Sequence, residues 1–261
     1  MIEACGLSDP GCARSHNEDR ILVDKELSLF LVADGMGGHN YGEVAAEMAV
    51  AAVRTFIDSS REGPEVTWPF GYDPQRSVDH NRLATAVQLA NRRVWERSEQ
   101  VSELEGMGTT IAAVLVSNDT ASVASVGDSR VYLLRDGRLR ALTTDDTWVG
   151  AMVRQGTLAA SEAPHHPMKN VLTQAAGARS SVDVQLLEEK LGDGDLLLLS
   201  SDGLHGVVGE ERMLGILVDD LGAGRPLAHA AERLIEFARQ QEAPDNLSCI
   251  LLLYRQEAAP G

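Results

Sequence analysis

The order of elements along the chain predicts an α+β fold with helices packed outside stacked sheets. Strand-like runs come first, then a pair of helical patterns, a strand-rich middle and a late helix. Several strand runs are uniformly apolar instead of alternating, so both of their faces are expected to be covered. With 261 residues, 44% of them hydrophobic, there is material for a full core. The chain reads as one domain over 1–256 with a tail at 257–261.

The strand runs lie at 21–23, 29–33, 110–116, 121–126, 131–134, 184–187, 196–200 and 248–253. "VYLLRDGRLRAL" reads as a hairpin, with Asp136-Gly137 turning between two apolar arms. Helical spacing marks 42–57 (Ala45, Met48, Ala49, Ala52, Val53, Phe56), 81–100 (Leu83, Val87, Ala90, Val94) and 226–240 (Leu227, Ala230, Leu234, Ile235, Ala238). Pro226 falls in the first turn of the last, where proline is tolerated. Between the first two helices, "REGPEVTWPFGYDPQRS" is a loop by its three prolines and two glycines. A second irregular stretch, 157–177 with "SEAPHHPMKN", belongs to a flap near 146–177 that is read as mobile. Trp148, with Met152 and Val153 following at helical spacing, either anchors that flap or meets substrate. There is no internal repeat.

Composition excludes some functions. Lys plus Arg is 23 against 39 Asp plus Glu, a net charge of −16, which argues against nucleic acid and anionic membranes as partners. No apolar run approaches the roughly 20 residues of a membrane span, and "MIEACGLSDPG" lacks the regions of a signal peptide, so a cytoplasmic location is expected. Cys5, Cys12 and Cys249 show no ligand spacing and read as reduced, incidental thiols.

Chemistry enters with "LFLVADGMGGHN". A buried strand ends on Asp34 and is followed by glycines at 35, 37 and 38, a pattern that marks close approach to backbone. Asp34 has company: "SVGDSRVYLL" puts Asp128 after a strand, "DLLLLSSDGLHG" puts Asp202 after the most apolar strand, and "APDNLSCILLL" puts Asp245 before the last. "RSHNEDR" adds Glu18 and Asp19 beside Arg14. Taken singly, an Asp-Gly pair is an ordinary turn, which is the reading for Asp136-Gly137. The set of strand-end aspartates points instead to one site. Converging carboxylates about 4 Å apart repel by about 4 kcal/mol at an effective dielectric near 20. Divalent cations relieve that repulsion, and an all-oxygen donor set suits magnesium or manganese, not zinc. The glycines would leave room for a backbone carbonyl to join the coordination shell. Arg14 alone would be a solvated charge; beside two metals its fork matches phosphate oxygens. Together they describe phosphoester hydrolysis, with a metal-bridging water attacking phosphorus as hydroxide.

The ordered motifs "RSHNEDR", "VADGMGGHNYGE", "GTTIAAVLV", "SVGDSRVYLL", "LTTDD", "NVLTQAAG", "LLSSDGL" and "DNLS" resemble the bacterial branch of the metal-dependent type 2C serine/threonine protein phosphatases over residues 6–253. The resemblance implies a four-layer α-β-β-α sandwich, two antiparallel sheets flanked by helix pairs, with a dimetal site at one end. It further implies that Asp34 bridges two Mg or Mn ions, that the Gly35 carbonyl binds one, and that Asp202 and Asp245 complete the protein ligands. Glu18 would act through coordinated water with Asp19 behind it. Asp128 with Asp202 would form a weaker third site, Arg14 would bind the phosphate, and Asn246 would support Asp245. Relatives with "DGH" carry a histidine proposed as general acid where this chain has Met36, so a metal-bound water must supply that proton. His39 is offset and expected to make a structural hydrogen bond. Asp146 stands where relatives often have histidine, which puts flap contacts in question. The implied function is a monomeric phosphatase acting on phosphoserine and phosphothreonine proteins, opposing a bacterial serine/threonine kinase. The acidic surface would favour cation-flanked phosphosites. The alternatives are a catalytically silent regulator that keeps the fold, and a binding domain whose strand-end aspartates are only turns.

Overall fold

The computed structural model describes residues 1–37, 41–61 and 67–256. Gly38, His39, part of the loop between the first two helices and the tail at 257–261 lie outside the described residues.

Two five-stranded antiparallel sheets make the centre. One runs β1 (Ile2–Asp9), β12 (Leu247–Tyr254), β11 (Leu196–Ser200), β8 (Arg130–Arg135), β9 (Arg138–Ala141). The other runs β10 (Gln185–Lys190), β7 (Thr120–Val126), β6 (Ile111–Ser117), β3 (Leu29–Ala33), β2 (Arg20–Asp24). Successive side chains point to opposite faces, and the uniformly apolar runs divide accordingly. Phe30, Val32, Val114, Leu197, Leu199, Ile250 and Leu252 fill the space between the sheets. Leu29, Leu31 and Ile111 face helices α1 (Gly42–Arg61) and α2 (Val78–Gln100), while Leu196, Leu198 and Leu251 face α4 (Asp202–Val208), α5 (Glu210–Gly222) and α6 (Leu227–Gln240). Each fully buried leucine contributes about 2 kcal/mol of burial free energy. The result is the expected α-β-β-α sandwich, and it explains why these strands do not alternate.

Local signals behave as their chemistry requires. Asp136 (φ +51°) and Gly137 (φ +69°) both take the left-handed conformation of a two-residue hairpin turn. The Ser77 hydroxyl caps α2 by accepting from the His80 N–H at 3.0 Å. Pro226 sits one residue before α6 instead of inside its first turn. Strand β1, α4 and α5 have no counterpart in the sequence reading. The signal for α5 was present, since Met213, Ile216 and Leu217 are buried on one face at helical spacing. In β1, only Ala4 is fully buried, and the half-exposed "IEACGLSD" gives no apolar run to read.

The flap begins at a firm anchor. The Asp146 carboxylate accepts from the Gly127 N–H (3.1 Å) and Gln185 Nε2 (3.0 Å), while its carbonyl takes the N–H and hydroxyl of Thr173 (2.6 and 2.8 Å). Asp146 therefore fastens both ends of the flap to the sandwich. Within it, Trp148 opens α3 (Trp148–Arg154) and stacks on His166 at 5.0 Å, so its observed role is packing.

On the opposite helical layer Asp220, with 1% of its side chain exposed, receives Arg225 (2.7 Å), Arg233 (2.6 Å) and His229 (3.0 Å). Burial alone would raise this carboxyl, yet these three hydrogen bonds hold it below its ordinary value. A depressed carboxylate contributes stability above its unfolded value near 4 and loses it as the pH falls through the folded value. Asp220→Asn is expected to cost about 2 kcal/mol at neutral pH, with the deficit shrinking below about pH 4, as measured by urea unfolding.

Candidate metal centre

The strand-end carboxylates do meet at one edge of the sandwich. Asp34 follows β3, Asp128 lies between β7 and β8, Asp202 opens α4 directly after β11, and Asp245 precedes β12. Hydroxyls hold these turns together: the Asp34 N–H donates to Thr110 Oγ1 (3.0 Å), and Thr110 Oγ1 meets Ser129 Oγ (2.7 Å) next to Asp128. Asp19 is 2% exposed; its Oδ2 accepts from Ser201 Oγ at 2.8 Å, and its buried Oδ1 has no hydrogen-bond partner among the described residues. Glu18 is half-buried beside it.

The glycines serve a purpose the sequence reading did not foresee. A Cβ on Gly35 would lie 2.1 Å from the Gly42 carbonyl oxygen and 2.7 Å from that of Glu18. A Cβ on Gly203 would lie 2.1 Å from the Asn246 carbonyl oxygen, and one on Gly11 (φ +76°) the same distance from that of Asp245. What approaches Gly35 and Gly203 is therefore neighbouring backbone, and this apposition sets Asp34 against the Glu18 segment and Asp202 against Asp245. The close approach that these glycines mark is thus, at Gly35 and Gly203, one of main chain to main chain.

Arg14 and Asn246 complete the edge. Arg14 Nη2 donates to Asp245 Oδ2 at 2.8 Å, with its side chain 53% exposed, so this bond leaves other guanidinium N–H groups facing solvent. Asn246 is buried and uses both ends of its amide: Oδ1 accepts from the Glu18 N–H (2.9 Å), while Nδ2 donates to the carbonyls of Pro10 (2.9 Å) and His16 (3.0 Å). Its own N–H donates to Asp245 Oδ1 at 2.9 Å. One side chain thus positions the loop of Arg14 and Glu18 against Asp245. A pocket of about 280 Å³ opens there, lined by Arg14, Ser15, His16, Glu18 and Asn246.

Crowding these acids raises their proton affinity. Burial, then the charges of Asp19, Asp202, Asp128 and Asp245, push the Asp34 carboxyl well above the ordinary range. Burial lifts Asp19 to about 6, and burial with the Asp202 charge lifts Asp128 to about 8. Asp202 is raised by burial and by Asp245, and Glu18 by burial.

A family model described as Protein phosphatase 2C matches residues 13–252. The chain belongs to the protein phosphatase 2C family. Among its relatives, the serine/threonine phosphatase stp of Listeria monocytogenes is 34% identical over 255 residues, covering 94% of this chain and 93% of that one. The serine/threonine protein phosphatase PstP of Mycobacterium tuberculosis is 34% identical over 96% of this chain, which spans 45% of PstP. The crystal structure of Mycobacterium tuberculosis PstP superposes with a TM-score of 0.84 at 33% identity, covering 97% of this chain and 99% of the other. A structure of the PstP catalytic domain in complex with two manganese ions gives 0.80 at 32%, with 97% of each chain covered.

In this phosphatase 2C chain the donors fit divalent cations. The orphaned Asp19 Oδ1 is a buried acceptor without a donor, and every candidate ligand is a hard oxygen. Among the described residues no three acidic, histidine or cysteine side chains close around a single point. Each ion would then take few protein ligands and fill its shell with water, which is how magnesium-like ions are commonly held. The phosphatase 2C site also uses residues absent from the sequence reading. Ser201 and Thr110 hold Asp19 and Asp34. His205 is buried behind Asp202 and shares a 3.1 Å hydrogen bond with Ser200; burial and Arg130 keep it neutral, well below its ordinary value. "SSDGLHG" contains Ser201 and His205, and "GTTIAAVLV" contains Thr110, but neither stretch gives a sign of which residues face inward.

Proposed function

We propose that this chain is a metal-dependent protein serine/threonine phosphatase, acting as a single catalytic unit over residues 1–256 and hydrolysing phosphoserine and phosphothreonine in proteins. The observation that carries the reading is the convergence of Asp34, Asp202, Asp245 and Asp19 beside a half-exposed Arg14. Two ions, magnesium or manganese, would be held by Asp34, the Gly35 carbonyl, Asp202 and Asp245, with Glu18 acting through water. Asp128 and Asp202 would offer a weaker third position. When bound, the ions supply the Lewis acidity that makes a nucleophile of water near neutral pH. Asp34 and Asp202 would hold that centre at the end of the sandwich, and Asn246 keeps Asp245 and the Arg14 loop in register. Arg14 directs its free N–H groups at the phosphoryl oxygens, orienting the group and balancing charge as it builds. Met36 has no proton to give the leaving alcohol, so that proton comes from water.

No helix among the described residues is long and apolar enough to cross a membrane. We read the chain as a cytoplasmic monomer opposing a serine/threonine kinase, as its likeness to bacterial serine/threonine phosphatases suggests. The test is phosphate release from a phosphothreonine peptide with manganese, with magnesium and with chelator, for wild type and Asp202→Asn. The expected result is metal-dependent turnover that Asp202→Asn removes. Cation binding by calorimetry without turnover under any metal would favour the silent regulator instead.

A further inference from the structure

A second pocket, of about 300 Å³, opens beyond Met36, lined among others by Leu172, Ala175, Arg179, Val182 and Asp183. Met36 is the second residue after Asp34, on the short strand β4 (Gly35–Met36), so one wall of the pocket stands two residues along the chain from the carboxylate cluster. Its wall is built into the fold. Ala176 exchanges both backbone hydrogen bonds with Thr109 (2.9 and 2.8 Å), and Gln174 Oε1 accepts from the Asp183 N–H at 2.8 Å. Arg179 is exposed and forms no salt bridge among the described residues, although the chain carries an excess of sixteen negative charges.

We propose that this pocket receives the residue flanking the phosphorylated serine or threonine, and that Arg179 makes an acidic residue there the preferred one. The proposal rests on the phosphatase reading and adds a sequence preference to it. A glutamate placed there lays its methylenes on Met36 and Leu172 and offers its carboxylate to the forked donors of Arg179. Asp183 lines the same pocket and makes the opposite demand, for a cationic flank, as does the overall net charge. Arg179 has the longer reach and the bidentate fork, whereas the Asp183 backbone is held by Gln174. The local arginine therefore outweighs the diffuse field at this subsite.

The test compares phosphothreonine peptides identical except for glutamate, alanine or lysine beside the phosphoresidue, on manganese-loaded wild type, Arg179→Gln and Asp183→Asn. For wild type, kcat/KM is expected to be roughly three- to fivefold higher with glutamate than with lysine, the size of a partly exposed ion pair. Arg179→Gln should bring that ratio to one or below, because Asp183 remains, and Asp183→Asn should widen it. A wild-type preference for lysine, equal rates on all three peptides, or an unchanged ratio in Arg179→Gln would overturn the proposal. Absence of turnover on every peptide would overturn the phosphatase reading, and this subsite with it.

Discussion

Asp34→Asn is expected to lower metal-dependent turnover by at least about 10³-fold while raising the melting temperature of the chelated protein by a few degrees. The two effects share one cause. Asp34 is crowded by Asp19, Asp202, Asp128 and Asp245 at a buried edge, so without cations its charge opposes folding. An acid whose folded pKa is raised lowers stability once the pH exceeds its unfolded value near 4, and does so fully above the folded value. With Asp19 at about 6 and Asp128 at about 8, the chelated wild type should melt higher as the pH is lowered from about 8 towards about 6. The manganese-loaded protein should show the reverse, because protons then compete with the ions. Calorimetry across that range, with and without chelator, checks both. Normal turnover in Asp34→Asn, or a chelated mutant less stable than wild type at pH 8, would contradict the assignment.

Gly203→Ala is expected to cost about 3 kcal/mol and most of the activity, although it adds a single methyl group. The new Cβ would lie 2.1 Å from a backbone oxygen of Asn246 and 3.2 Å from Asp245 Cβ. Backbone cannot turn aside as a side chain can, so α4 must shift, taking Asp202 away from Asp245. Gly206 lies in the same helix, with open space where a Cβ would stand. Gly206→Ala should instead gain up to about 1 kcal/mol through helix propensity. Denaturant midpoints of the two variants, with phosphatase assays beside them, separate close apposition from a general intolerance of change in α4.

The sequence already pointed to the strand-end aspartates as one group, because such residues beside apolar runs are an unusual arrangement and their order resembled a known family; the structure places them at one edge. Runs such as 196–200 also disclosed that their strands are covered on both faces, which the alternating burial of Leu196 to Leu199 bears out. Other features needed three dimensions. The partners of Gly35 and Gly203 are backbone atoms at Gly42 and Asn246, and no local pattern announces a contact between main chains. The double duty of Asn246 depends on residues 228 or more positions away at Glu18, His16 and Pro10. Asp146 looked like a departure at the flap and proved to be its fastening, through bonds to Gly127 and Gln185.

The acidic edge draws on both sheets: Asp34 and Asp128 leave strands of one, while Asp202 and Asp245 border strands of the other. Ions seated among them would act as a clasp between the two halves of the sandwich, bridging segments near the opposite ends of the chain. Cation binding would then be linked to folding, and a chelator would remove that added stability at the end the two sheets share.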